Sequence, residues 1–240
     1  MSTSPEPAFT PSARAALKRK FLLRTTIWLA VMAAVLFGAA GTLDWPGAWV
    51  YLGWSAAVSF GGGLWLARHD PGLLAERLGS LVQRDQKTWD KVFMATILVL
   101  WFAWLVLMGL DRRHGWSHVP IPVQLAGFVL LCLGCYLVAL TFKANSFAAP
   151  VVKIQKERQH RVIDTGPYAY VRHPMYAGAL LINAGAPLLL GSWWGLLVGA
   201  LFTLLIALRA VLEERTLKAE LEGYTAYAAR VRYRLVPYLW

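Results

Sequence analysis

The chain has 240 residues, 58% of them hydrophobic and only 15% charged, with a mean hydropathy of +0.48. That leaves too little polar surface to cover a water-exposed globule, and the long apolar runs place it among integral membrane proteins. The net charge of +11 sits in loops between apolar runs, so the expected partner is anionic lipid headgroups and no nucleic acid.

Residues 1–11 read as disordered, and Arg14 to Arg24 form a basic flank, so 1–24 is expected to be an arm. A first span runs from Thr25 to Leu43 and ends at the turn DWPG; a cleaved signal peptide is the alternative, but the arm is long and the core nearly spanning. The second span covers Ala48 to Leu66. Over 70–88, Leu73, Leu74, Leu78, Leu81 and Val82 recur at helical spacing with Arg77, Arg84 and Lys87 off that face. That predicts an amphipathic helix on the inner membrane surface, either a plain connector or part of a gate for a lipid-like substrate. Spans three and four are Val92 to Leu110 and Pro120 to Phe142, completing a four-helix membrane region over 25–142. A short fifth span, Met175 to Leu190, and a sixth, Trp194 to Leu212, are joined by GSWWG and must form a hairpin within a core at 143–240. The expected fold is an all-α integral membrane protein of about six transmembrane helices, with a cytoplasmic amphipathic helix and a C-terminal helical hairpin.

Of the 24 Lys and Arg residues, 21 fall in segments 14–24, 68–91, 143–172 and 215–234, while Arg112 and Arg113 lie opposite. The positive-inside rule then puts both termini and the two long loops in the cytoplasm, of a bacterial inner membrane by composition. Trp45, Trp49, Trp116, Trp193 and Trp194 are expected to mark the outer interface.

Cys132-x-x-Cys135 lies within a span with no second cysteine pair, so no metal site is expected. Gly195 and Gly199 allow close packing, within the bundle or between chains, and oligomeric state stays open. No GxGxxG, Walker loop or HExxH is present.

Chemistry concentrates in the last hundred residues. In KIQKERQHRVIDTGPYAYVRHPMYAG, the turn at Asp164–Pro167 folds the chain back before Pro174 opens a helix. The free N–H groups of that first turn, with Arg172 and His173 beside them, suit a carboxylate or phosphate. Gly178 permits close approach by a ligand or another helix. Arg209 shares a helical face with Glu213; it either serves a site or snorkels and pairs with that glutamate. Glu213 and Glu214 point in different directions, so at least one faces the bundle. Tyr224 and Tyr227 anchor an interface or line a site. Such a set fits a zwitterionic ligand.

With GPYAYVRHPMYAG followed, after the hairpin, by EERTL and GYTAYAARVRYRLVP, the chain resembles the isoprenylcysteine carboxyl methyltransferase family. The related phospholipid methyltransferases share the RHPxYxG element and the paired glutamates. The resemblance covers about residues 140–240 and implies a membrane methyltransferase that takes S-adenosylmethionine without a Rossmann domain. It assigns Arg172, His173, Pro174, Tyr176 and Gly178 to a cofactor-binding element, preceded by His160 and Tyr168, with Glu214 as a further cofactor contact. Arg209 and Glu213 take the catalytic roles, Arg209 by holding the acceptor carboxylate.

Three classes follow. The first is carboxyl O-methylation of a lipophilic or lipidated acceptor. The second is N-methylation of an aminolipid, or methylation of a small thiol, with a base required for an amine. The third is a non-enzymatic membrane protein, disfavoured because intramembrane charge is confined to one end of the last span.

Overall fold

A computed structural model of the chain describes residues 9–80, 82–83 and 85–240. Eight α-helices run in order among these residues: α1 (Pro11–Ala40), α2 (Pro46–His69), α3 (Pro71–Arg77), α4 (Thr88–His114), α5 (Ile121–Ala144), α6 (Pro174–Leu190), α7 (Trp193–Glu220) and α8 (Tyr224–Arg230). Helices α1, α2, α4, α5 and α7 are long and apolar enough to cross a membrane, which makes this an all-α integral membrane protein. The short fifth span is α6, whose 17 residues rise only about 25 Å against a ~30 Å hydrocarbon core. It packs mainly against α5 and forms the expected hairpin with α7.

The basic flank Arg14–Arg24 is not an irregular arm. It is the first half of α1, begun by Thr10, whose Oγ1 accepts from the Ala13 amide, and by Pro11 in the first turn. Of the expected disordered stretch, residues 1–8 lie outside the described residues.

The surface helix expected over 70–88 is much shorter. Asp70 caps α3 through the Leu73 amide, and the helix ends at Arg77. Gly79 and Ser80 then break the periodicity, and Leu81 and Arg84 lie outside the described residues. The apolar face also meets protein: Leu73 and Leu74 are buried with Phe21, Leu66 and Ala148.

The main core gathers Leu36, Ala48, Trp104, Leu105, Met108, Leu131 and Phe202 from α1, α2, α4, α5 and α7. Helices α5 and α6 pack backbone to backbone. A Cβ on Gly134 would meet the Gly178 carbonyl oxygen at 2.6 Å, and one on Gly178 the Gly134 carbonyl oxygen at 2.7 Å. Gly195 and Gly199 also pack inside the chain, against Met108 with Pro187 and against the Asn183 carbonyl. Trp49, Trp116, Trp193 and Trp194 are exposed at the end opposite the basic loops, but Trp45 is buried and donates to the Leu190 carbonyl. It joins α2 to the α6–α7 turn and is not an interface anchor.

Candidate functional site

At the basic end, the loop 145–163, the start of α6, the end of α7 and α8 enclose a cavity of about 760 Å³, its mouth included. Its polar wall includes His160, Tyr168, Arg172, His173, Tyr176 and Glu213. Val151, Val152, Leu217 and Leu221 make the apolar wall.

The RHP element forms here because Pro174 takes the first helical position and His173 stays outside the helix as its cap. The preceding chain is fixed by backbone pairing with the C-terminal segment: the Arg172 amide donates to Tyr233 O and the His173 amide to Arg234 O, each at 2.9 Å. The first turn is less open to an anion than expected. Pro174 has no N–H, and the Tyr176 and Ala177 amides both donate to His173 O at 3.0 Å.

The paired glutamates face different neighbourhoods. Glu213 lines the cavity and accepts from the Tyr176 hydroxyl at 2.5 Å. The Tyr176 ring lies nearly parallel to His173, with centroids 5.4 Å apart. Glu214 is 2% exposed and turned into a knot behind the cavity wall. Its Oε1 accepts from Arg172 Nε at 2.6 Å and lies 3.2 Å from His173 Nε2, while Oε2 accepts from Arg234 Nε at 3.1 Å. Arg172 Nη1 also donates to the Val231 and Arg232 carbonyls, at 2.7 and 2.8 Å. The guanidinium expected to await a ligand therefore ties α6 and α7 to the segment after α8.

Arg209 does not pair with Glu213. Its Nε and Nη2 donate to Asp90 Oδ1 at 3.0 and 2.9 Å, and Nη2 also donates to Pro150 O at 2.7 Å. The guanidinium packs near the rings of Phe93 and Tyr176. Asp90 is fully buried, and its Oδ2 accepts from Gln86 and from the Val152 amide, both at 2.8 Å. Asp90, in the first turn of α4, is the residue that sequence reasoning missed. Arg209 and Asp90 stand just behind the cavity and pin its loop to the bundle.

Pro174 is buried as the helix start, and Gly178 faces α5, so its close approach is to a helix and not to a ligand. His160, Tyr168, Arg172, His173, Tyr176 and Glu213 are brought together around the cavity; Pro174, Gly178, Arg209 and Glu214 stand outside its lining. Tyr224 and Tyr227, given no single role by the sequence, both line it.

His160 stacks on Phe147 with centroids 4.6 Å apart. Burial, followed by the charge of Arg158, lowers its pKa to about 4, so the ring is neutral at pH 7. The unfolded chain takes up this proton near pH 6.5 and the folded chain only near 4, so stability rises with pH across that window. The contribution is whole above about pH 6.5 and is lost as pH falls towards 4. Thermal unfolding midpoints measured from pH 7 to 4.5 are expected to fall less steeply in His160→Phe than in the wild type.

Residues 123–221 match the family described as phospholipid methyltransferase. A protein of Schizosaccharomyces pombe named Protein-S-isoprenylcysteine O-methyltransferase is 30% identical over 130 residues, a match covering 46% of this chain and 55% of that protein. The chain thus spans about half the length of this relative. The expected kinship with the membrane methyltransferases is borne out over the matched segment, which runs from α5 into the end of α7 and holds every site residue read from the sequence.

Proposed function

We propose that this chain, with its phospholipid methyltransferase-family segment at 123–221, is a membrane methyltransferase that uses S-adenosylmethionine to esterify a lipophilic, isoprenylcysteine-like carboxylate. The observation that carries the reading is the cavity itself: the Glu213 carboxylate, bonded to the Tyr176 hydroxyl, set among aromatic and apolar walls beside the start of α6. Its carboxylate and aromatic lining suit a ligand with an ammonium, a sulfonium and a flat heterocycle, and Tyr224 adds a buried hydroxyl with no partner among the described residues.

When bound, the cofactor supplies an electrophilic methyl group on a positively charged sulfur. Glu213 would hold its ammonium, with Tyr176 fixing the carboxylate rotamer through their hydrogen bond. His160 and Tyr168 would form the far wall, and His173 would keep Tyr176 oriented by stacking. Arg172, Pro174, Gly178 and Glu214 would act from behind, by setting the start of α6. A carboxylate acceptor is already ionised at neutral pH and needs orientation and not a base. Arg209 would provide that orientation through Nη1, since its other edge is committed to Asp90 and Pro150. The basic end would face the cytoplasm, with the acceptor arriving from the bilayer beside membrane lipids and the cofactor from water.

The test is transfer of tritiated methyl from S-adenosylmethionine in membranes carrying the protein. Base-labile, volatile label on a farnesylated cysteine analogue is the expected result. Base-stable label in the lipid fraction would instead make it the aminolipid N-methyltransferase that the family description suggests. No transfer, with no cofactor binding by the purified protein, would overturn the enzymatic reading.

A further inference from the structure

The two tyrosines of α8 lie side by side in the cavity wall, edge to face, with centroids 5.6 Å apart. Their hydroxyls are in opposite situations. Tyr227 donates to the Tyr168 carbonyl at 2.8 Å, which ties α8 to the chain just before the RHP element. The Tyr224 hydroxyl is fully buried and has no hydrogen-bond partner among the described residues. Buried phenols in folded proteins almost always find a partner, because a donor removed from water and left unpaired is costly.

The ring does not need its hydroxyl in order to be held. It is 4% exposed and sits in a cluster with Leu221, Tyr227 and Val231, behind the turn at Gly223, whose φ of +80° sets the direction of α8. A phenylalanine would fill the same space. The oxygen is thus an unspent, buried donor on a rigidly held residue of the cavity lining, a suitable arrangement for reading a ligand at little cost in ordering.

The neighbourhood narrows what that ligand atom is. Burial, then the carboxylates of Glu214 and Glu213, push the phenol well above its ordinary pKa, and Arg172 opposes this less strongly. The group therefore stays protonated as a donor at any working pH. The potential around it is negative, which disfavours a ligand carboxylate and leaves an uncharged lone pair as the fitting acceptor.

We propose that Tyr224 is a cofactor-binding residue whose hydroxyl, unpaired among the described residues, donates to an uncharged oxygen or ring nitrogen in the nucleoside part of the methyl donor. This rests on the proposed use of S-adenosylmethionine and adds a named contact to it.

The experiment compares wild type and Tyr224→Phe as purified full-length protein. Thermal unfolding is measured without ligand, and binding of S-adenosylhomocysteine and of 5′-methylthioadenosine is measured by calorimetry. The hydroxyl makes no hydrogen bond among the described residues, so the unfolding midpoint is expected to stay the same or to rise. Both ligands are expected to bind about three- to tenfold more weakly, the worth of one hydrogen bond. Unchanged affinities would overturn the proposal, as would a lowered midpoint without ligand, which would mean that the hydroxyl supports the fold. Weakening for S-adenosylhomocysteine alone would overturn the nucleoside assignment. Failure of the wild type to bind either ligand would bring down the cofactor reading and this contact together, whereas equal binding by both proteins removes only the contact.

Discussion

Glu214→Ala is expected to cost about 3–5 kcal/mol of folding stability, the usual toll of leaving a buried charge without its partner. The carboxylate is 2% exposed and serves Arg172, His173 and Arg234 together. Without it, the buried Arg172 guanidinium keeps only carbonyl acceptors. The damage should spread along the chain, because Arg172 and His173 also hold Tyr233 and Arg234 through their backbone amides. Loosening that pairing frees the start of α6 and with it the His173, Tyr176 and Glu213 side of the cavity. Chemical unfolding in detergent checks the stability, and cofactor binding should fall with it. Glu214→Gln, which keeps an acceptor but no charge, should fall between alanine and wild type. A Glu214→Ala protein as stable as wild type that nevertheless fails to bind cofactor would show that Glu214 contacts the ligand directly.

The membrane class and the order of the spans could be read from the sequence because hydropathy over about twenty residues is a local property. The hairpin was legible for the same reason: GSWWG leaves no room for α6 and α7 to separate. The RHP element and the glutamate pair were legible as motifs, and the fold brings Arg172, His173 and Glu213 to one cavity while Pro174 and Glu214 stand outside its lining. The division of labour within the pair was not. Adjacent residues on a helix point about 100° apart, which says that the two differ but not which one meets the segment after α8.

Asp90 was hidden for another reason. In TWDK it reads as one more charge beside a membrane span, and Arg209 stands 119 residues further on, with Glu213 an obvious local partner. Only the packing of α4 beside α7 joins the pair, and no periodicity carries that information. The surface helix failed at a point that was visible in the sequence. The leucine pattern continues through Leu78, but Gly79 and Ser80 favour a turn, and turn chemistry outweighed amphipathicity.

The Asp90–Arg209 pair offers a way to separate structural from chemical roles. Asp90→Leu alone should destabilise the protein by about 3–5 kcal/mol, since it strands a buried arginine beside an apolar group. It also takes away the acceptor for the Val152 amide, so the cavity loop should loosen and cofactor affinity should drop. Adding Arg209→Met to Asp90→Leu removes the stranded charge and replaces the pair with apolar groups of similar size. Such exchanges are often neutral or stabilising, so stability should return to within about 1–2 kcal/mol of wild type, the Val152 amide accounting for the deficit. Turnover should not return with it. If Arg209 Nη1 orients the acceptor carboxylate, the double variant should bind cofactor yet transfer methyl at least about a hundredfold more slowly, the scale of losing a positioned charge at a reacting group. Unfolding, cofactor binding and the methyl-transfer rate, measured on the same three proteins, distinguish the cases. Recovery of turnover along with stability would make Arg209 only a fastener for the loop at 145–153, and the acceptor carboxylate would then have to be oriented by another group.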